Sequence, residues 1–364
     1  MRIVIKVGTS ILTDKNSGLL NKKYILCLAK TISELQKDNH EILIVSSGAV
    51  IAGRAHTDVN IKSKTLKYKQ AFAAIGQPLI ISTYSNAFVK YGKMVAQILL
   101  TRDVFNERVK YLNARNTLNT LIKNNIVPII NENDSVSIDE LNFGDNDTLA
   151  ALVAVTINAD KLVIFTDVDG FYYGNLARSS IIHKIEKITE EIEKFASESS
   201  SSGKGTGGMK TKISAAKIAG ASGVDTIIMN GLKLSLLKNI IMDNYHEGTI
   251  IKAQKQFLEA KKSWIAYSKK TKGTIYVDKK ASEILLNKGK SLLAVGIIKV
   301  QGNFQRGDTV NIACTDTKKD FARGLTNYDN VTLEKIKGKK STDIKNFMNI
   351  IEDEVIHRNK LVLI

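Results

Sequence analysis

Hydrophobic positions in the first 250 residues alternate between two textures. Short, mostly β-branched runs at 2–7 (RIVIKV), 41–45 (EILIV), 95–100 (VAQILL), 125–130 (NIVPII), 161–165 (KLVIF) and 225–229 (DTIIM) read as strands. Longer stretches with helical spacing lie between them. Residues 22–38 place Ile25, Leu28, Ala29, Ile32 and Leu35 on one face. Residues 65–89 read as a helix interrupted near Gly76-Gln77-Pro78, and 111–123, 147–157 and 211–221 as three more helices. Strands separated by helices predict βαβ crossovers and an α/β fold, a mainly parallel sheet sandwiched by helices. Ligands of such sheets bind beyond the carboxyl ends of the strands. The polar, Gly-containing segments of this chain fall there repeatedly.

A different texture begins near Thr271. Short strands, one short helix and Gly-containing turns at Gly302-Asn303 and Arg306-Gly307-Asp308 predict a small, mostly β domain. The expected division is a first domain over 1–255, a linker over 256–271 and a second domain over 272–364. Residues 197–208 (SESSSSGKGTGG) have a spacer's composition, yet they lead straight into a helix. A loop that orders around a phosphate is the other reading.

The 364 residues are 43% hydrophobic and 24% charged, which excludes a mostly disordered or collagen-like chain. No run of 18 apolar residues offers a membrane span, and no apolar segment before a cleavage site marks a secretory signal. Cys27 and Cys314 form no metal or redox spacing, so a reducing cytoplasm is the expected location. The net charge is +17, and residues 250–364, with 23 Lys/Arg against 12 Asp/Glu, carry +11 of it. Such a balance suits nucleotides, carboxylates or RNA; charge spread over solvated surface is the plain alternative.

Several strand ends carry candidate chemistry. Lys6-Val7-Gly8-Thr9-Ser10 sets an ammonium and backbone N–H groups where phosphate oxygens can meet them, although the P-loop pattern is absent. Ser46-Ser47-Gly48-Ala49-Val50 allows close backbone approach to a ligand, or tight helix–sheet packing. Asn131-Glu132-Asn133-Asp134 and Phe143-Gly144-Asp145-Asn146-Asp147 crowd amides and carboxylates that can hold an amino acid, a metal or lysines. Asx turns and a helix cap from Asp145 or Asn146 account for part of them. Thr166-Asp167-Val168-Asp169-Gly170 suits ribose hydroxyls or a nucleotide-bound metal, and also an ordinary turn. In GKGTGGMKTK, Lys204, Lys210 and Lys212 compete for contact with a phosphate. The five histidines stand outside every motif.

Taken in order, KVGTS, SSGAV with Gly53, YLNARNTL with NNIVPIINEND, FGDND, TDVDG and GTGGMKTK resemble the glutamate 5-kinase family of the amino acid kinase superfamily. SLLAVGI, GNF and RGD in the last third resemble a PUA domain. The resemblance implies transfer of the ATP γ-phosphoryl group to the side-chain carboxylate of L-glutamate, a first step of proline biosynthesis inhibited by proline. It implies that Lys6 and Lys212 flank the phosphoryl group and that Asp147 holds both. Ser47, Asp134 and Asn146 would bind glutamate, with Gly48 and Ala49 lining the pocket. Lys6, Gly8, Thr166, Asp167, Thr206, Gly207, Gly208, Met209, Lys210, Thr211 and Lys212 would bind ATP, whose phosphates carry Mg²⁺ with no separate protein metal site. It further implies a homo-oligomer and hand-over of the product to a glutamyl phosphate reductase. RNA binding by the PUA part is the competing reading, and no membrane is involved. The chemistry agrees: phosphoryl transfer needs alignment and positive charge, and an ionised carboxylate needs no general base. The chain departs from the family at GNLARSS after Tyr172-Tyr173, where an Asp-Pro-containing stretch is usual, and at Ala294, where proline is common.

Overall fold

The computed structural model describes residues 1–14, 17–57, 65–105, 107–136, 145–172, 180–198, 208–242, 247–254, 271–345 and 353–364. They fall into two compact units, Met1–Phe257 and Leu258–Ile364. The expected linker lies, apart from Thr271, outside the described residues.

In the first unit the β-branched runs become β1 (Arg2–Val7), β2 (Glu41–Ser46), β3 (Val95–Leu100), β4 (Val127–Glu132), β5 (Lys161–Thr166) and β7 (Asp225–Asn230). Two short strands follow the same sheet, β6 (Lys184–Ile185) and β8 (Thr249–Ile251), giving the order β3-β4-β2-β1-β5-β7-β8-β6. All neighbours run parallel except β7 and β8. Strands β2 to β4 lie on one side of β1 and β5 to β8 on the other, so the chain changes direction across the sheet at β1, the place where open α/β sheets leave a crevice for ligands. Register aligns the strand ends: Val7 sits beside Ser46 and Phe165, and Thr166 beside Asn230.

Helices cover both faces. The helices that matter for the site are α1 (Thr9–Leu12), α2 (Lys22–Lys37), α3 (Ala49–Ala55), α4 (Leu66–Val89), α5 (Arg108–Lys123), α6 (Asn146–Thr156), α7 (Glu190–Glu198) and α8 (Met209–Gly220). Ile3, Ile5, Val7, Ile42, Ile44 and Ile129 share a core with α2 and α4. Val4, Leu43, Val45, Ile130 and Ile164 share another with α5, α6 and α8. Period-two alternation along each strand separates the two sets.

Two expectations change. The helix over 65–89 has no break: Pro78 lies inside a continuous α4. Proline removes the N–H that would serve the Ala74 carbonyl. Ala74 and Pro78 are both exposed, so water can take that role. The strand read from 125 begins at Val127, because Asn125 adopts φ +57° and belongs to the turn that ends α5. Pairing of β4 with β2 starts at Ile129, one residue past the donor-less Pro128.

Glycine sets the fit between α3 and α4. A Cβ on Gly53 would lie 1.9 Å from the Phe72 carbonyl oxygen, and one on Gly76 would lie 1.9 Å from the Ala49 carbonyl oxygen. The two helices therefore touch backbone to backbone, which seats Ala49 against the turn of α4 that carries Gln77.

The second unit is a five-stranded sheet in the order Ile297–Gly302, Gly273–Val277, Thr309–Cys314, Asp320–Leu325 and Leu361–Leu363, with a separate pair formed by Leu292–Leu293 and Glu354–Ile356. Its core gathers Ile275, Val277, Leu285, Phe304, Val310, Ile312 and Leu333. Ala294 is buried in that core.

Candidate active site

Alternation along β1 decides where its lysine goes. Lys6 is in phase with Val4, so it emerges on the face covered by α6 and α8. Asp147, in the first turn of α6, meets it there: Lys6 Nζ lies 2.7 Å from Oδ1. Lys212, in the first turn of α8, reaches the other oxygen, Oδ2, at 3.1 Å. Thr211 Oγ1 lies 2.8 Å from that same Oδ2 and 2.8 Å from the Gly208 carbonyl oxygen. All three charged groups are buried, Asp147 completely. Burial alone would raise the Asp147 carboxyl, but the Lys6 and Lys212 ammonium groups outweigh it and hold the carboxyl below its usual range. Two buried ammonium groups share the Asp147 carboxylate at the carboxyl edge of the sheet, and the half-buried Asp145 carboxyl also interacts with Lys6. Ammonium groups fixed in this way can form charge-assisted hydrogen bonds to phosphate oxygens.

The other face carries a chain of amides. Asn131 follows Ile129 in phase and so turns toward α4, where its Nδ2 donates to Gln77 Oε1 at 2.9 Å. Asn146 Nδ2 sits within 3.0 Å of the Ser46 carbonyl, 2.7 Å of Ser47 Oγ and 2.9 Å of Asn131 Oδ1. Ser47 Oγ accepts from Asn146, so the hydroxyl can turn its own hydrogen to a ligand. Beside this chain, Ala49, Gln77, Glu132 and Asp134 line a cavity of about 260 Å³. Burial, with the Glu132 charge added, pushes the Asp134 carboxyl up to about 6. The turn between β2 and α3 uses Gly48 at φ +97°, a conformation that side chains resist.

The remaining expected residues distribute as follows. Gly8 borders the cluster, since a Cβ there would come within 3.6 Å of Lys6 Nζ. Thr166 is buried at the end of β5 and Asp167 is exposed just beyond it, with Thr166 Oγ1 3.4 Å from Asp167 Oδ1. They stand one strand over from Lys6. Met209 packs against an apolar cluster under α8, while Lys210 is exposed. Thr206, Gly207 and Lys204 lie outside the described residues, as do Phe143, Gly144 and the GNLARSS stretch up to residue 179. Asp145, not Asn146, caps α6, accepting from the Thr148 N–H at 2.8 Å; burial raises its carboxyl. The sequence marks Gln77 only as part of a helix break and gives Asn131 no role of its own. The in-phase position of Asn131 on β4 was the one available signal.

Residues 1–230 match the Amino acid kinase family, and residues 273–348 match the PUA domain. Among curated proteins, a glutamate 5-kinase of Thermoanaerobacter sp. (strain X514) is 43% identical over 371 residues, covering 100% of this chain and 98% of its own. A glutamate 5-kinase of Dictyoglomus thermophilum is 44% identical over 367 residues, covering 100% and 97%. Among solved structures, carbamate kinase from Giardia lamblia bound to AMP-PNP superposes with a TM-score of 0.50 at 19% identity, covering 70% of this chain and 98% of that one. That likeness speaks to the fold alone. A mainly parallel sheet with this site at its edge, a family match over more than half the chain and full-length relatives above 40% identity lead to one statement: the chain belongs to the amino acid kinase family.

Proposed function

We propose that this chain transfers the γ-phosphoryl group of ATP to the side-chain carboxylate of L-glutamate, forming L-glutamyl 5-phosphate and ADP. The carrying observation is the buried Lys6–Asp147–Lys212 cluster, in which two ammonium groups are held on one carboxylate. The full-length likeness to glutamate 5-kinases supports the choice of acceptor.

In this reading the glutamate carboxylate oxygen attacks the γ-phosphorus, and the bond to the β,γ-bridging oxygen breaks. Attacking and attacked groups are both anionic, so their repulsion is the obstacle. Lys6 and Lys212 relieve it and stabilise charge that spreads over the phosphoryl oxygens. Asp147 keeps the two ammonium groups apart at fixed positions, a preorganisation that needs no rearrangement during the step. Ser47, Asp134 and Asn146 hold glutamate beside Gly48 and Ala49. Gly8, Thr166, Asp167 and residues 206–212 hold the nucleotide. Mg²⁺ neutralises charge on the ATP phosphates; both Asp147 oxygens are engaged by ammonium groups, which supports placing the ion on the nucleotide.

We assign residues 1–255 to catalysis, 256–271 to a connector and 272–364 to a PUA domain. The reaction fits the entry to proline biosynthesis in the cytoplasm, with inhibition by proline, a homo-oligomeric enzyme and a glutamyl phosphate reductase as the recipient of the labile product. Among the described residues no helix is long and apolar enough to cross a membrane.

The test is ATP- and Mg²⁺-dependent formation of γ-glutamyl hydroxamate from glutamate and hydroxylamine, with and without proline. Turnover of aspartate, carbamate or UMP in place of glutamate would redirect the assignment within the family. RNA binding by the basic second unit predicts affinity that falls steeply with salt. Unchanged mobility in excess RNA at low salt would remove that reading.

A further inference from the structure

We propose that Gln77 is a specificity-determining residue, whose side-chain N–H donates to the α-carboxylate of the amino-acid substrate. The inference rests on glutamate as the substrate and adds a residue that reads its head group.

The direction of the amide chain carries the argument. Assigning nitrogen and oxygen in a side-chain amide normally depends on its neighbours. Here one neighbour is unambiguous, because the Ser46 carbonyl can only accept, and Asn146 approaches it within 3.0 Å. Asn146 must therefore present its NH₂ there. The same NH₂ meets Asn131 at 2.9 Å, so Asn131 turns its oxygen to Asn146 and its own NH₂ to Gln77. Gln77 in turn must offer its oxygen to Asn131. Its NH₂ is left over at the far end of the chain, beside the cavity that Gln77 lines with Ala49, Glu132 and Asp134.

That terminal nitrogen is buried and has no hydrogen-bond partner among the described residues, although Gln77 is only 8% exposed. A buried donor left unmade is costly, and native proteins rarely leave one without reason. The rest of the wall indicates what it awaits. Glu132 and Asp134 can accept from an ammonium group but would repel a carboxylate. A free amino acid carries both groups on one carbon, so a wall with two acidic side chains needs a donor for the second. The other side-chain donors lining the cavity are more open to water: Gln97 is exposed on the edge strand β3, Ser135 is exposed with its hydroxyl donating to Asn133 Oδ1, and Asn133 is half-buried. Gln77 is enclosed and held by its hydrogen bond to Asn131.

The experiment compares L-glutamate with its α-amide, whose α-carboxyl group is a neutral carboxamide, as phosphoryl acceptors for the full chain and for Gln77→Glu. This substitution keeps an oxygen for the Asn131 N–H and replaces the donor by an anion. We expect kcat/KM for glutamate to fall about 100-fold, mainly through KM, because a site built to donate discriminates strongly when the donor is lost. The α-amide, which can donate to the new carboxylate, should lose no more than about fivefold on the same reasoning. The KM for ATP should hold. Gln77→Met, of similar size and with no charge to bury, should narrow the preference for glutamate over the α-amide about tenfold. An active variant of either kind that keeps the parent's preference between the two acceptors overturns the proposal. Absence of any hydroxamate from glutamate with the unsubstituted enzyme would instead remove the proposed function.

Discussion

At the carboxyl edge of the first unit's sheet, the face packed by α6 and α8 holds its polar groups by charge. The face packed by α4 holds them by hydrogen-bond direction. On the first, Lys6, Asp147 and Lys212 meet within 3.1 Å, buried, with two ammonium groups on one carboxylate. Such a cluster acts on any anion nearby and gains most when negative charge grows. On the second, Ser47, Asn146, Asn131 and Gln77 are neutral, and their order of donors and acceptors is fixed along the chain. An arrangement of that kind says little about charge and much about which atom belongs where. Asn146 and Asp147 join the two. Consecutive residues on a helix point about 100° apart, so the start of α6 serves both faces at once. Transition-state stabilisation and ground-state recognition are thereby assigned to different sides of one strand edge.

The sharpest way to break the charged side is Asp147→Asn. It leaves two ammonium groups buried together without the carboxylate that holds them both, and truncating one member of a buried ion pair costs about 3–5 kcal/mol. Chemical denaturation of the full chain should show a loss of that order. Removing one cation as well, in Asp147→Asn with Lys212→Met, should recover part of it. Stability of the single variant within about 1 kcal/mol of the parent would mean that charge does not organise this face. Lys212→Ala comes next. It leaves Lys6 and Asp147 as a balanced pair, so the fold should tolerate it, while kcat should drop about 10²–10³-fold with the glutamate KM nearly unchanged. A rise in KM at constant kcat would transfer Lys212 to the recognition side.

The neutral side depends on helix packing more than on any one bond. Gly76→Ala puts a methyl group where the Ala49 carbonyl oxygen now lies 1.9 Å away. Overpacking of this kind costs about 1–3 kcal/mol. It should also raise the KM for glutamate, because prying α3 from α4 displaces Ala49 and Gln77 together, with the KM for ATP held. An equal rise in both constants would show that the two faces are not independent.

Much of this architecture was legible because hydrophobic period and strand position agree. The main strands appear where β-branched runs predicted them, to within two residues. The one-face pattern at 22–38 became a helix with Ile25, Leu28, Ala29 and Ile32 in the core. Strand phase alone also sends Lys6 to the side where α6 and α8 lie. That Asp147 and Lys212 would meet it there came from likeness to a family, since helix phase does not say which strand a helix covers. Gln77 was illegible for a physical reason. Gly-Gln-Pro reads as a break, yet α4 runs through it, with Gly76 against the backbone of α3 and Pro78 exposed. The partner of Gln77 is Asn131, 54 residues away, and the two meet only because α4 packs on the sheet face that Asn131 points to.

The smallest effect separates the two sides by pH. In the free enzyme the Asp134 carboxyl titrates near 6, raised by burial and by Glu132. Above that pH it is ionised and can hold the substrate's ammonium group; below it the charge is lost. Log kcat/KM for glutamate, which reports the free enzyme, should therefore fall with a slope of about one per pH unit below 6. The substrate's own side chain does not interfere, as a free glutamate carboxyl titrates near ~4.3. Bound ammonium stabilises the ionised form and lowers the Asp134 pKa, so kcat at saturating glutamate should stay flat to lower pH. Asp147, held below the usual range by its lysines, remains ionised across this window and contributes no break. Asp134→Asn should raise the glutamate KM and abolish the bend near pH 6, with ADP release measured from pH 5 to 8. A bend that persists in Asp134→Asn would assign the titration to another group and detach Asp134 from recognition of the ammonium.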